Sequence, residues 1–453
     1  LYDKFNQEER ERKPEGVVPI EAIQTKKQSL FPLFFTVFID LLGIGIVIPV
    51  IAPLFLDPRG GILSMGASLS TRTMLLGFLI ASYSLAQFFG APYLGGLSDR
   101  VGRKKMLVVS LIGTLIGYLL FAIGILTKNL ILLFVARLVD GFTGGNISIA
   151  QSAISDLSTA KTRARNFGFI GMAFGLGFVI GPYIGGRLAD PTVLSWFNYG
   201  TPFWFAAILC AANIIILMLR FQESLVRSRS SKASFLTGFR NIGRAIQVVH
   251  CRQIFLVVFF LVFGFSFFTQ FFQVYLIQRF AYTQSQIGDL FAYVGLWIAF
   301  SQGVVNRPLT RRFTPAQILP ISALLLAISL PVLLLPGQPW GLYIVLPFIA
   351  LFQGLTNPSS LAVVSQLAEP SMQGEIIGIN QSFTSLAQAI PPIIAGFIAS
   401  LDRNLPILVA GGATLLAWIL LVPFLQRLKR GTAGQCLMER TLPGSVMPQN
   451  TIR

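Results

Sequence analysis

The stretch Gly95-Gly96-Leu97-Ser98-Asp99-Arg100-Val101-Gly102-Arg103-Lys104-Lys105 separates two apolar runs, about residues 74–94 and 106–126. Each run is long enough to cross ~30 Å of hydrocarbon at about 1.5 Å per residue. A connector with one carboxylate, four cations and three glycines cannot lie in lipid, so it marks a membrane face. Four Lys/Arg in so short a loop place that face on the inside. Gly95 and Gly96 are expected to let the chain leave one helix and turn. Asp99 stands where helix N-termini or arginines of a neighbouring helix could hold it.

The same grammar continues along the chain. Twelve apolar spans are expected, at about 30–56, 74–94, 106–126, 130–152, 166–188, 202–221, 253–277, 285–305, 315–336, 341–365, 376–400 and 405–425. With both ends inside, 28 of the 35 Lys/Arg fall on the inner side and six on the outer, and Arg137 lies within a span. That split fixes the expected topology. The expected organisation is a tail (1–29), six spans (30–221), a basic linker (222–252), six more spans (253–426) and a second tail (427–453). The linker carries Arg227, Arg229, Lys232, Arg240 and Arg244, and reads either as a plain connection or as a basic amphipathic helix on the membrane surface.

Composition narrows the function. A chain of 453 residues that is 54% hydrophobic and 12% charged, with mean hydropathy +0.70, is a polytopic membrane protein. Its net charge of +17 punctuates apolar spans and forms no patch for nucleic acid. Cys210, Cys251 and Cys436 show no paired spacing, and a single histidine, His250, excludes a histidine-rich metal site. The first 29 residues are polar and read as a cytoplasmic tail without a signal peptide. Neither a nucleophile–base pair nor a phosphate-binding Gly-rich loop with its Lys-Ser/Thr is present, so neither catalysis nor ATP is expected to drive the protein.

The two halves are related. Adding 210 to positions 165–186 brings Gly168 onto Gly378, Gly181-Pro182 onto Pro391-Pro392 and Gly186 onto Gly396. Asp140-Gly141-Phe142-Thr143 meets Gln353-Gly354-Leu355-Thr356 at an offset of 213, and Arg307–Arg312 is a worn copy of the charged connector. Parallel repeats of six spans, with substrate held between them near the midplane, suit alternating access by rocking.

Three constellations could carry chemistry. Asp40 lies about ten residues into the first span, ~15 Å from the inner face. An ionised carboxylate there costs a few kcal/mol, so it must be paired, wet or protonated. Gly43, Gly45, Pro49 and Pro53 loosen the same helix. In the fourth span Arg137 and Asp140 are three residues apart and share a face, although Arg137 is near enough to the outer end to snorkel. In the fifth, Gly177, Gly181 and Gly185 recur every four residues, with Pro182 and Gly186, and form a smooth stripe for a neighbouring helix. The second half offers aromatics and amides instead of charge. Gln270, Gln273, Asn357 and Gln381 are the best candidates to line a cavity for an amphiphilic organic molecule.

The Gly95–Lys105 connector closely resembles the signature between spans two and three of the major facilitator superfamily. Asp40-Leu41-Leu42-Gly43-Ile44-Gly45 resembles span one of the tetracycline-efflux type, and Arg137–Gly141 the family's fourth-span motif. Gly177–Gly186 resembles the antiporter motif of its exporters. The resemblance covers about residues 30–425. It implies the all-α major facilitator fold, with twelve transmembrane helices in two six-helix pseudo-repeat bundles. The function implied is a proton-coupled antiporter of a small amphiphilic compound, a drug or an endogenous metabolite such as a siderophore. Asp40, Arg137 and Asp140 would handle the proton, and Gly95, Gly96, Asp99, Arg100, Gly102 and Arg103 would form a gating loop that latches the outward-facing state. The cofactor expectation is none, the proton gradient supplying energy. The partners are substrate, protons and lipid, in a monomer of the bacterial inner membrane. Tetracycline exporters also use a carboxylate in span nine, and 315–336 has no Asp or Glu, which argues against tetracycline itself. A proton-coupled importer or facilitator on the same fold, and a receptor that transports nothing, remain as alternatives.

Overall fold

The computed structural model describes residues 30–58, 61–158, 162–225, 235–247, 252–366 and 373–429. Both expected tails, save 427–429, lie outside these residues, as do Arg227, Arg229, Lys232, His250, Cys251 and Cys436. Among the described residues, twelve helices are long and apolar enough to cross a membrane. In lipid every backbone polar group must be satisfied within its own segment, which leaves helices as the solution for such runs.

The first half comprises α1 (Phe31–Leu56), α2 (Leu69–Val101), α3 (Arg103–Leu126), a fourth span split into α4 (Leu130–Thr143) and α5 (Asn146–Asp156), α6 (Arg163–Leu188) and α7 (Thr201–Arg220). A short helix, α8 (Thr237–Gln247), precedes the second half. That half runs through α9 (Arg252–Phe280), α10 (Gln284–Phe300), α11 (Asn306–Arg312), α12 (Pro315–Val332), α13 (Leu342–Gln366), α14 (Gln373–Leu401) and α15 (Leu405–Lys429). A π turn at Ser301–Val305 joins α10 to α11 within one span, and Ser301 Oγ donates to Leu351 O at 2.8 Å. Some helix starts on the connecting loops are capped: Asn129 and Ser68 accept from backbone amides, and Thr283–Gln286 forms a capping box. Ile131, Ile208, Leu219 and Ile321 stay exposed, an apolar outer surface suited to lipid.

The chain alternates between two ends, here the basic end, which holds the Gly95–Lys105 stretch, and the opposite end. At the opposite end the halves close on each other. Gly77 of α2 abuts Pro392 of α14, and a Cβ on Gly396 would lie 2.7 Å from Thr73 O. Likewise α6 lies on α10, with Gly186 facing Gln284 and Gly288. Close backbone approach of this kind needs small residues, and dispersion then holds the helices together. At the basic end α8 packs against α2, α9 and α14, so it bridges the two halves. The described helix of the central stretch is therefore packed on the bundle itself.

Two boundaries depart from expectation. Gly95 and Gly96 do not end a helix: α2 runs on to Val101, and the turn falls at Gly102, with φ +117°. Glycine permits a break but does not require one, whereas a positive φ does favour glycine. The fourth span is interrupted at Gly144-Gly145, where Gln87 Nε2 donates to the freed Gly144 carbonyl at 3.1 Å.

Candidate functional site

Asp40 sits within α1 and is 8% exposed. Its Oδ1 accepts from Asn146 Nδ2 at 2.5 Å. Asn146 is the first residue of α5, so the interruption of the fourth span aims this amide at the first. The carboxyl is thus paired, one of the three conditions its depth demands. On α1, Gly43 leaves room for the Tyr118 hydroxyl of α3, where a Cβ would overlap it.

Arg137 and Asp140 form the expected pair, Nη1 to Oδ2 at 3.4 Å. Arg137 does not snorkel. It is buried, its guanidinium 4.6 Å from the Tyr83 ring centroid and 5.8 Å from that of Phe121, and its Nε has no hydrogen-bond partner. Aromatic faces hold much of this cation, which leaves its one long ion pair open to rearrangement. Glycines bring the helices together here: Gly141 abuts Tyr83 of α2, and a Cβ on Gly117 would lie 2.7 Å from the Asp140 Cβ.

At the basic end Arg103 is the hub of the signature stretch. Its guanidinium contacts Asp99 Oδ1 at 2.5 Å, Asp156 Oδ2 at 3.1 Å and Ser98 Oγ at 2.6 Å. It ties the α2–α3 turn to the end of α5. Glu223, just beyond α7, accepts from the backbone amides of Arg103 (2.8 Å) and Lys104 (3.1 Å), a carboxylate at a helix N-terminus. Gly102 lies against this carboxylate, where a Cβ would be 2.5 Å from Oε2. Gly95 faces Ser148 of α5 at ordinary contact distance, Gly96 is half-buried, and Arg100 is exposed.

The stripe on α6 splits between two neighbours. Gly177, Gly181 and Gly185 face Leu41, Leu42, Gly45 and Ile46 of α1, the helix that carries Asp40. Pro182 touches both neighbours, its ring at Gly45 of α1 and its carbonyl at Gly288 of α10, and Gly186 meets Gln284 and Gly288 across the halves. The four expected cavity amides differ in their surroundings. Gln270 Nε2 donates to Ser266 Oγ (2.6 Å), and Gln273 Nε2 donates to Gln270 O (3.1 Å). Their Oε1 atoms are buried without partners, whereas Asn357 and Gln381 are exposed.

Several groups escaped sequence reading. Asn146 stood in view as an amide at mid-span directly after Gly144-Gly145. Asp156 and Glu223 gave no signal of their own. Nor did the ties at the opposite end, where Arg187 Nη2 meets Asp289 Oδ1 at 3.1 Å across the halves. There Gln284 Nε2 donates to Tyr199 OH (2.8 Å), which donates to Asp57 Oδ2 (3.1 Å). Burial and the neighbouring Asp57 carboxylate push the Tyr199 phenol well above its usual range, so it keeps the proton it donates.

The chain matches the sequence profile of the Major Facilitator Superfamily over residues 33–346 and again over 254–440. It is 31% identical to multidrug resistance protein 1 of Bacillus subtilis over 87% of this chain and 97% of that protein. It is 29% identical to the class H tetracycline resistance protein of Pasteurella multocida, over 82% and 89%. Among solved structures it is similar to the human organic anion transporter MFSD10 (TM-score 0.65, 23% identity, 86% of this chain and 98% of that one). A D-xylose–proton symporter superposes with TM-score 0.69 at 16% identity, covering 87% and 96%.

Proposed function

The chain belongs to the Major Facilitator Superfamily, and we propose that it is a proton-coupled antiporter exporting a small amphiphilic organic compound. It is a transporter and not an enzyme, and its curated relatives are multidrug and tetracycline resistance proteins. In this reading the basic end is cytoplasmic, both termini are inside, and the protein works as a monomer in a bacterial inner membrane. The charge split across the spans supports the orientation.

The observation that carries the reading is Asp40, a buried carboxylate whose partner, Asn146, sits at a break in another span. The stripe that lets α6 approach α1 runs directly behind it. A proton arriving at Asp40 cancels the charge that the Asn146 amide holds, and this frees the α4–α5 break to move against α1. Release of that proton on the cytoplasmic side restores the charge and the hydrogen bond. Arg137–Asp140, one helix away, offers a second carboxylate whose cation is free to move onto or off it. Substrate rests between the halves and binds when Asp40 has given up its proton, which makes the exchange an antiport.

The test is transport in inverted vesicles under an imposed pH gradient, with candidate aromatic amphiphiles and with Asp40→Asn as the control. Accumulation that depends on the gradient and is lost in Asp40→Asn supports the reading. Equal transport with and without the gradient overturns it, and uptake by intact cells would point to the importer alternative.

A further inference from the structure

At the basic end, α2 and the end of α4 form an aromatic cleft. Phe88, Phe89 and Tyr93 line its floor on one side and Phe142 on the other, Tyr93 and Phe142 meeting each other with centroids 6.2 Å apart at 40°, so the cleft is shallow and receives a ring on its face. A ring from the central stretch already lies over it. Phe235 stacks on Tyr93 with centroids 4.1 Å apart and planes 11° from parallel, and lies 6.0 Å from Phe142 at 28°. Phe239, one turn along, meets Phe88 edge-on at 5.2 Å. The Gly238 backbone passes so close that a Cβ there would be 2.7 Å from Phe88 Cζ. On the other side Asn241 Nδ2 donates to Ser382 Oγ of α14 at 3.2 Å.

Two features distinguish this from ordinary core packing. Phe235 and Phe239 remain 50% and 52% exposed while Phe88 beneath them is buried, so the rings that cover the cleft are held on one face only. The helix that delivers the ring also stands between α2 and α14, whose opposite ends already touch through Gly77 and Gly396. If the basic end is to close in turn, α8 must leave that position. An offset, near-parallel ring pair is the arrangement aromatic surfaces favour over a sandwich.

We propose that the cleft of Phe88, Phe89, Tyr93 and Phe142 is a binding site for a planar aromatic ring of the transported compound, held in the resting state by Phe235 of the chain itself. This deepens the export reading and rests on it for the identity of the ligand as cargo. A substrate ring entering from the basic end displaces Phe235, and with it α8, so loading the site also clears the path for closure.

The test is equilibrium binding to the purified full chain in lipid nanodiscs, with no gradient present. Two probes of equal charge are used: ethidium, which is planar and aromatic, and dodecyltrimethylammonium, which has no ring. If Phe235 fills the cleft about four-fifths of the time, Phe235→Ala tightens ethidium binding roughly 5-fold. It leaves dodecyltrimethylammonium unchanged. Adding Tyr93→Ala removes that gain, whereas adding Tyr93→Phe keeps it. Phe235→Leu, which retains the apolar bulk but not the ring face, replaces Phe235→Ala if the latter fails to fold. Equal tightening for both probes, no change in either Phe235 variant, or no ethidium binding at all overturns the proposal. Because no gradient enters this measurement, its failure leaves the export reading to the vesicle assay, and failure in the vesicles leaves the cleft standing.

Discussion

The side-chain amide of Asn146 donates to Asp40 Oδ1 at 2.5 Å, and Asn146 is the residue at which the fourth span resumes after its break. One hydrogen bond therefore ties the acid of α1 to the hinge of another span. A bond to a charged group is worth ~1.5–3 kcal/mol, so Asn146→Ala should slow gradient-driven transport about 10-fold. Asp40→Asn should abolish the response to the gradient, a loss on the order of 10- to 100-fold. Both variants should insert and purify normally, and transport in inverted vesicles with and without a pH gradient separates the two effects.

The glycine stripe makes a graded prediction. Gly185 abuts the Ile46 backbone of α1, whereas a Cβ on Gly175 would lie 3.5 Å from Ala299 Cβ, at ordinary contact. Gly185→Val should cost ~1–3 kcal/mol through overpacking and lower the melting temperature in detergent. Gly175→Ala should melt within a degree or two of the parent. Equal behaviour of the two would show that close approach of α6 to α1 is not what the stripe supplies.

Arg103 reaches Asp99, Asp156 and Ser98 through three different nitrogens of its guanidinium, a spread that the single nitrogen of a lysine lacks. Arg103→Lys should therefore behave like Arg103→Ala. Each should lose ~1–3 kcal/mol of stability and most of the turnover. Thermal unfolding followed alongside transport checks this, and full activity in the lysine variant would reduce Arg103 to a plain positive charge.

At the opposite end the cross-half ties are weak by design. Arg187–Asp289 is roughly 40% exposed on both partners, and pairs of this kind are worth ~0–1 kcal/mol. Gln284–Tyr199 adds a neutral bond. Arg187→Ala combined with Gln284→Ala should shift the balance towards a form open at this end by roughly 5- to 10-fold. Spin labels placed at the exposed positions Trp196 and Tyr343 should then gain a longer distance component. High salt should mimic the loss of the ion pair but not of the amide bond.

What the sequence disclosed followed from local chemistry. Runs of apolar residues must become helices in lipid, and basic loops mark one side, so the spans and their order were legible. The i, i+3 spacing of Arg137 and Asp140 predicted a pair that the structure contains. The stripe at Gly177, Gly181 and Gly185 predicted a close neighbour but not which helix it would be, and that neighbour is α1. Tertiary facts stayed hidden. Nothing in Asp40's own surroundings named Asn146, more than a hundred residues away, and Gly95-Gly96 looked like a turn because glycine's permissiveness reads the same whether or not it is used. The basic stretch before the second half read as a connection or a surface helix, and nothing in it said that aromatic rings of α2 and α4 would meet it.

The Glu223 clasp on the amides of Arg103 and Lys104 fixes the chain just before the segment that carries Phe235. Phe235 follows Leu225 by ten positions, so the two can lie no more than ~36 Å apart. A group confined in this way competes for its seat as though it were dissolved at a concentration on the order of millimolar, however dilute the protein. Traces of a weak aromatic compound would then leave the transporter idle, and only cargo that binds well or abounds would set it turning.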